Sequence, residues 1–149
     1  MFRKILVGLD GSAAAWYALR RAITLAREHG GEVWVLSVEE HLPHFPATID
    51  EVQEAEEFQN AYFADIQCAA RRLAAEHGIA MECRIMPGRA ATRLIELARD
   101  GAFDLIVVGH RGHANPWHRL TGSTADRLVE HAPCSVLVER SSADATGHE

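Results

Sequence analysis

Five short apolar runs, separated by stretches with helical periodicity, restrict this chain to a small set of folds. The runs occupy residues 4–9, 32–38, 79–86, 103–108 and 135–139. Four of them are nearly continuous in valine, isoleucine and leucine, as in strands that are covered on both faces. In the third run, apolar and more polar residues alternate, which indicates a strand at a sheet edge. Alternating strands and helices predict an α/β fold, with a parallel sheet of five strands and helices on both faces.

Helical patterns fill the segments between the runs. Helices are predicted over residues 12–29, 50–77, 89–99 and 123–131. Ser12 is a suitable N-cap for the first helix, and the pair Gly30-Gly31 ends it. The second helix has an apolar stripe, which we expect to face the core and which consists of Phe58, Tyr62, Ile66, Ala69 and Leu73.

The composition is that of one small globular domain. With 149 residues, of which 48% are hydrophobic, the chain can bury roughly two thirds of the surface that its unfolded form exposes. A formal net charge of −6 argues against nucleic acid or an anionic membrane as the partner, because both usually require a basic patch. The apolar run at residues 5–7 is too short for a signal peptide or a membrane span.

The three cysteines, Cys68, Cys83 and Cys134, are far apart and form no CxxC motif. An odd number of cysteines without such spacing predicts neither a disulfide framework nor a zinc site. We expect them to act as small apolar residues in a reducing compartment, and we therefore predict a cytoplasmic protein.

A glycine-rich segment follows the fourth run and has the properties of a phosphate-binding loop. Gly109 and Gly112 would let the main chain approach a ligand closely. At the start of the next helix, Ser123 and Thr124 would present amide and hydroxyl donors. Arg111 would add a charge-assisted contact. The alternative is that the glycines serve turns and the arginine is solvated.

Asp10, directly after the first strand, is a second candidate for a binding residue. Its carboxylate can accept hydrogen bonds from ribose or amine donors, or hold a metal ion through water. The alternative is a structural aspartate in a turn or at a helix end.

The glycine spacing is similar to that of a known family. Gly109, Gly112, Gly122 and Ser123 form the pattern G-x2-G-x9-G-S, which resembles the nucleotide-binding signature of the ATP-binding branch of the universal stress protein family. Residues 1–140 also follow that family's order, from a first strand that ends in aspartate to the closing segment HAPCSVLVER.

This resemblance implies the architecture in more detail. It implies a single domain over residues 1–140. The small, polar residues 141–149 that follow predict a disordered tail. The sheet would be doubly wound, of the adenine nucleotide α-hydrolase-like type, with strand order 3-2-1-4-5. In that order the loops after the first and fourth strands, which contain Asp10 and Gly109, open on one crevice.

The resemblance also implies a ligand and its contacts. The family's ligand is ATP, or AMP or ADP, and Mg²⁺ or Mn²⁺ can accompany a triphosphate. Asp10 would lie near the adenosine or the metal-bound phosphates, and the adenine would contact the main chain at Val38. Leu9 would supply an apolar wall, although core packing would also explain it. The phosphates would contact Gly109, Arg111, Gly112, Gly122, Ser123 and Thr124.

The family further implies two kinds of protein contact. Its members commonly pair through the last strand, and Val136, Leu137 and Val138 form a short apolar edge that suits a homodimer. Nucleotide occupancy would alter the loops at residues 39–49 and 110–121, and would so control an unidentified protein partner in a stress response.

Two other functions stay open at this point. A slow ATPase or nucleotide hydrolase would use the phosphates and a metal to activate water. However, the sequence has no Walker loop, its one lysine is Lys4, and no nucleophile-and-base motif is visible. A scaffold that binds no nucleotide is the second alternative, and the intact glycine signature counts against it. The histidines His110, His113 and His118 match no standard zinc spacing, so we interpret them as solvated or phosphate-facing.

Overall fold

The structure, a computed structural model, describes residues 1–40, 48–110 and 124–140. The strands within these ranges are β1 (Lys4–Gly8), β2 (Glu32–Glu39), β3 (Met81–Pro87), β4 (Leu105–Gly109) and β5 (Ser135–Glu139). The helices are α1 (Ala13–His29), α2 (Ile49–Glu76), α3 (Ala90–Asp100) and α4 (Thr124–His131). All strands are parallel and form one sheet in the order β3-β2-β1-β4-β5. The α/β fold, the strand order and the edge position of β3 are therefore confirmed.

Two apolar clusters, one on each face of the sheet, make up the core. On one face α1 and α2 pack against the strands, and on the other face α3 and α4 do so. In the central strand β1, Ile5, Leu6 and Val7 are all 0% exposed, because the sheet is covered on both sides at this point. The continuous apolar runs of the sequence thus correspond to strands that contribute side chains to both clusters.

Helix α1 begins and ends as its sequence predicts. The hydroxyl of Ser12 accepts a hydrogen bond of 3.2 Å from the amide of Ala15, which satisfies one of the free N–H groups at the helix start. At the other end Gly30 has φ 67°, the left-handed conformation that glycine adopts without steric cost.

Helix α2 differs from the prediction in the face that it buries. Its buried residues are Phe63, Gln67, Ala70 and Ala74, and Ile66 and Leu73 pack at the margin of the same cluster. Phe58 is 75% exposed, Tyr62 is 48% exposed, and Ala69 is exposed as well. The predicted stripe was therefore wrong for these three residues. Apolar residues lie on two sides of α2, and only packing against β2 and β3 decides which side enters the core.

Several predicted features lie outside the described residues. These are the loop at residues 41–47, the loop from Arg111 to Ser123 and the tail at residues 141–149. In the part of the chain that the structure does describe, no helix combines the length and the apolar character needed to cross a membrane.

Candidate functional site

The carboxyl ends of β1 and β4 lie side by side in the middle of the sheet. Val7 is in register with Val107, so the two strands end at the same level, next to Leu9 and Gly109. The chain leaves β1 toward β2 and leaves β4 toward β5, in opposite directions. Such a reversal opens a crevice at the carboxyl edge of a parallel sheet, where ligands of α/β proteins bind. The structure thus brings the two sequence-predicted segments to one edge.

Asp10 has an observed structural role in the turn between β1 and α1. Its Oδ1 atom accepts a hydrogen bond of 2.9 Å from the amide of Ser12. Between these residues Gly11 has φ 90°, a conformation that residues with a side chain rarely adopt. The carboxylate therefore shapes the turn that starts α1, as the structural alternative for Asp10 predicted, and it lies at the positive end of that helix.

Gly109 lies where the first turn of α1 packs against the end of β4. A β-carbon added to Gly109 would lie 2.5 Å from the carbonyl oxygen of Ala14 and 2.7 Å from its Cβ atom. Both distances are shorter than van der Waals contact, so this position requires glycine for packing alone. The close approach also holds the start of α1 directly beside the end of β4.

Leu9 is held by hydrogen bonds on both sides of its peptide unit. Its amide donates to the carbonyl of Leu36 at 3.0 Å, and its carbonyl accepts a hydrogen bond of 2.7 Å from the Ser37 hydroxyl. The side chain of Leu9 is 1% exposed and packs in the cluster beneath α1 and α2. This burial agrees with the packing role that the sequence left open for Leu9.

Ser37 belongs to a buried polar network that includes Gln67 of α2. The side-chain amide of Gln67 donates to Ser37 Oγ at 3.1 Å and to the carbonyl of Arg84 at 2.7 Å. Ser37 is 0% exposed and Gln67 is 4% exposed. The network therefore ties α2, β2 and β3 to the residue that precedes Asp10.

A further contact places α2 over the turn between β1 and α1. A β-carbon built on Gly11 would lie 2.6 Å from the Tyr62 hydroxyl oxygen and 2.7 Å from Cδ1 of Ile66. Neither Tyr62 nor Ile66 was singled out for this site in the sequence, because each lies more than 50 residues after Gly11 along the chain. Their proximity to Gly11 is a result of the tertiary fold.

His110 follows Gly109 and carries a polar atom that is shielded from water. Its amide donates a hydrogen bond of 2.8 Å to the carbonyl of Glu139. Its ring atom Nδ1 is buried and has no hydrogen-bond partner among the described residues. A buried imidazole nitrogen can donate or accept according to its tautomer, and leaving it unpaired costs about 1–3 kcal/mol. Of the two interpretations of His110, solvated or phosphate-facing, the first therefore does not hold for its Nδ1 atom.

The remaining predicted site residues divide into two groups. Val38 is half-buried near the end of β2, next to Met86 of β3, and its side chain packs on the face covered by α3 and α4. Thr124 is the first residue of α4, as expected for a donor at a helix start. The second group lies outside the described residues and consists of Arg111, Gly112, Gly122 and Ser123. Over residues 1–40, 48–110 and 124–140, no three His, Cys, Asp or Glu side chains are grouped so that they could hold a metal ion.

The sequence did not predict the buried network of Ser37 and Gln67, although it contained a weak signal for Ser37. Ser37 interrupts an otherwise apolar strand, and a polar residue at such a position needs a partner when it is buried. No comparable signal marks Gln67, which lies among other polar and small residues of α2.

Similar proteins cover almost the whole of this chain. "Universal stress protein MJ0531" from Methanocaldococcus jannaschii is 31% identical over 145 residues, which is 93% of this chain and 82% of that protein. The solved structure of UspA from Lactobacillus plantarum is 29% identical, with a TM-score of 0.82 over 93% of this chain and 98% of its own.

More distant structures share the fold. A universal stress protein solved in complex with cAMP is 24% identical, with a TM-score of 0.75 over 94% of this chain and 98% of its own. A family member from Arabidopsis thaliana solved with AMP bound is 18% identical, with a TM-score of 0.69 over 97% of this chain and 95% of its own. The profile of the Universal stress protein family matches residues 1–140. This chain therefore belongs to the universal stress protein family.

Proposed function

We propose that this protein binds an adenine nucleotide at the carboxyl edge of the sheet, between the ends of β1 and β4. The observation that carries the proposal is that β1 and β4 end at the same level, with Gly109 at the end of β4, and that the chain leaves the two strands in opposite directions. The start of α1 lies against the same strand end, so free amides of a helix start are close by.

Each site residue has a distinct proposed role. Asp10 accepts hydrogen bonds from the ribose or holds a metal through water, and Leu9 supports it through its main-chain hydrogen bonds. The adenine contacts the main chain at Val38. The phosphates are bound by Gly109, Arg111, Gly112, Gly122, Ser123 and Thr124.

Related proteins support the class of ligand. Two members of the same fold family were solved with cAMP and with AMP, both adenine nucleotides. The G-x2-G-x9-G-S spacing of the present chain supports assignment to the ATP-binding branch, with ATP, ADP or AMP as the ligand. Mg²⁺ or Mn²⁺ would neutralise charge on a bound triphosphate.

The proposed biological role follows from this ligand. The domain over residues 1–140 acts as a cytoplasmic homodimer that regulates a protein partner in a stress response, according to the nucleotide that it holds. The edge strand β5, with Val136, Leu137 and Val138 half-buried, supports pairing of two copies.

Calorimetric titration with AMP, ADP and ATP, with and without Mg²⁺, tests the proposal. We expect binding by the natural chain and none by Gly122→Val, because the added side chain would prevent the main chain from approaching the phosphates. Gly147→Val, the same substitution in the C-terminal tail, is the matched control and should bind normally. Absence of binding by the natural chain, or equal binding by all three proteins, would refute the nucleotide site.

Turnover of ATP separates binding from catalysis. We expect the purified protein to hydrolyse ATP slowly or not at all, and Asp10→Ala to change that rate little. A fast rate that Asp10→Ala abolishes would favour the hydrolase instead.

A further inference from the structure

Helix α2 carries a row of exposed apolar residues outside its packing contact with the sheet. We define the outer face of α2 as Ala55, Phe58, Ala61, Tyr62 and Ala69, and Tyr62 lies at its edge, where its hydroxyl lies over Gly11. Phe58 is 75% exposed and Tyr62 is 48% exposed, whereas large aromatic side chains are usually well buried. The exposure is a property of this face, since Phe63 on the other side of the helix is only 8% exposed.

The spacing of these residues is that of a helix that packs on both sides. Phe58 and Tyr62 are four residues apart, and Ala55 and Ala69 continue the row in either direction at helical intervals. Three of these residues, Phe58, Tyr62 and Ala69, belong to the stripe that the sequence predicted for the core. The structure instead buries the opposite side of α2, around Gln67 and Ala70. Apart from the contact of Tyr62 with Gly11, the outer face therefore has the pattern of a packing surface that the core does not use.

The charged side chains around the first part of the outer face are acidic, and the nearest basic residue of α2 is Arg72, one turn after Ala69. Residues 49–70 contain no lysine, arginine or histidine. They contain six carboxylates, Asp50, Glu51, Glu54, Glu56, Glu57 and Asp65, all of them exposed. The helix dipole accounts only for acidic residues in the first turn, which are Asp50 and Glu51. Three of the other four lie one turn from residues of the outer face without such an explanation: Glu54 from Phe58, Glu57 from Ala61 and Asp65 from Tyr62.

The apolar row and the acidic residues together favour one kind of binding partner for the outer face. A second copy of the chain would place carboxylates against carboxylates at the same face, and like charges at an interface are unfavourable. A partner with lysine or arginine side chains around apolar anchors would match both the aromatic row and the surrounding charge. We infer that the outer face of α2 is a docking surface for a cationic, amphipathic helical segment of a partner protein.

A model peptide provides a direct test. The probe is a fluorescein-labelled amphipathic helix of leucine and lysine, about 15 residues long so that it can form a helix. Its binding is measured by fluorescence anisotropy without nucleotide, so the result does not depend on the proposed nucleotide site. We expect the natural chain to bind the peptide, and Phe58→Ser to weaken binding at least about tenfold. Glu54→Gln together with Asp65→Asn should weaken it several-fold and reduce its dependence on salt.

Control variants distinguish this surface from general attraction between an acidic protein and a cationic peptide. Val129→Ser removes another exposed apolar side chain, on α4, where Val129 is 67% exposed, and should leave binding unchanged. Asp100→Asn together with Glu130→Gln removes two exposed carboxylates elsewhere and should also have little effect. Circular dichroism verifies that each variant is folded.

Four results of the binding assay would each overturn the inference. The first is that the leucine–lysine peptide does not bind up to about 1 mM, the range of very weak complexes. The second is that a leucine–glutamate peptide binds as tightly as the leucine–lysine peptide. The others are that Phe58→Ser binds the peptide as tightly as the natural chain, or that the control variants lose as much binding as Phe58→Ser. If sedimentation shows that Phe58→Ser alone converts dimers to monomers, the outer face binds a second copy of the chain. That result would also overturn the inference.

Discussion

Gln67 on α2 donates a hydrogen bond of 3.1 Å to the hydroxyl of Ser37 on β2, and both side chains are buried. Ser37 in turn donates a hydrogen bond of 2.7 Å from its hydroxyl to the carbonyl of Leu9, which extends the network to the residue after β1. Two elements that meet only in the folded protein thus fix the main chain one residue before Asp10. Buried polar groups are stable only when they are paired, so each member of this network depends on the others.

The network predicts a measurable stability cost for Ser37→Ala. The substitution leaves the carbonyl of Leu9 without its side-chain donor and Gln67 without one of its two acceptors. We expect the free energy of unfolding in urea to fall by about 1–3 kcal/mol. Ser135→Ala, at an exposed position, is the matched control and should change it by less than about 0.5 kcal/mol. Equal effects of the two substitutions would contradict the network.

Gly109→Ala tests the contact between α1 and β4. The new methyl group would overlap with Ala14, so the start of α1 must shift. We expect a loss of about 1–3 kcal/mol in the free energy of unfolding. Gly78→Asn provides a comparison, because Gly78 has φ 67°, which asparagine tolerates, and a β-carbon there meets nothing within 4 Å. A neutral Gly109→Ala would show that α1 does not approach β4 this closely.

The cysteines should differ in their reactivity with pH. Burial raises the pKa of the Cys83 thiol, and likewise the pKa of Cys134. A raised thiol pKa means that less thiolate is present at a given pH, and thiolate is the reactive form. Mass spectrometry after brief alkylation near neutral pH should therefore find Cys68, which is exposed, modified first. The alkylation rates of Cys83 and Cys134 should keep rising above the usual thiol pKa, and in urea the three rates should converge. Early modification of Cys83 in the native protein would contradict its burial.

The proposed dimer depends on the edge strand β5. Sedimentation at micromolar concentration should give twice the mass of the chain, and Val136→Lys should shift the equilibrium toward monomers. The expected loss is at least about 2 kcal/mol, or roughly 30-fold in the dissociation constant, since a charge would be desolvated at the strand edge. Val129→Lys, on the exposed side of α4, should leave the dimer intact. A natural chain that sediments as a monomer would exclude the dimer.

Features set by short-range chemistry were predictable from the sequence. The apolar runs identified the strands because strands that are covered on both faces need nearly continuous apolar residues. Ser12 and Gly30 marked the ends of α1 because capping depends on neighbouring residues alone. The placement of Asp10 and Gly109 beside one crevice rested instead on the strand order that the family resemblance implied, and the register of β1 and β4 brings the ends of these strands to the same level.

The tertiary structure decided what periodicity leaves open. A helical repeat shows that α2 has apolar residues on two sides, but it does not show which side meets the sheet. In the structure Phe58 is exposed and Phe63 is buried. The acceptors of Gln67 lie 30 and 17 residues away along the chain, and no local pattern can indicate them. Sequence alone therefore determined the family, the order of elements and their ends. Packing between distant segments determined which faces are buried and which polar groups are paired, because those energies exist only once the segments are in contact.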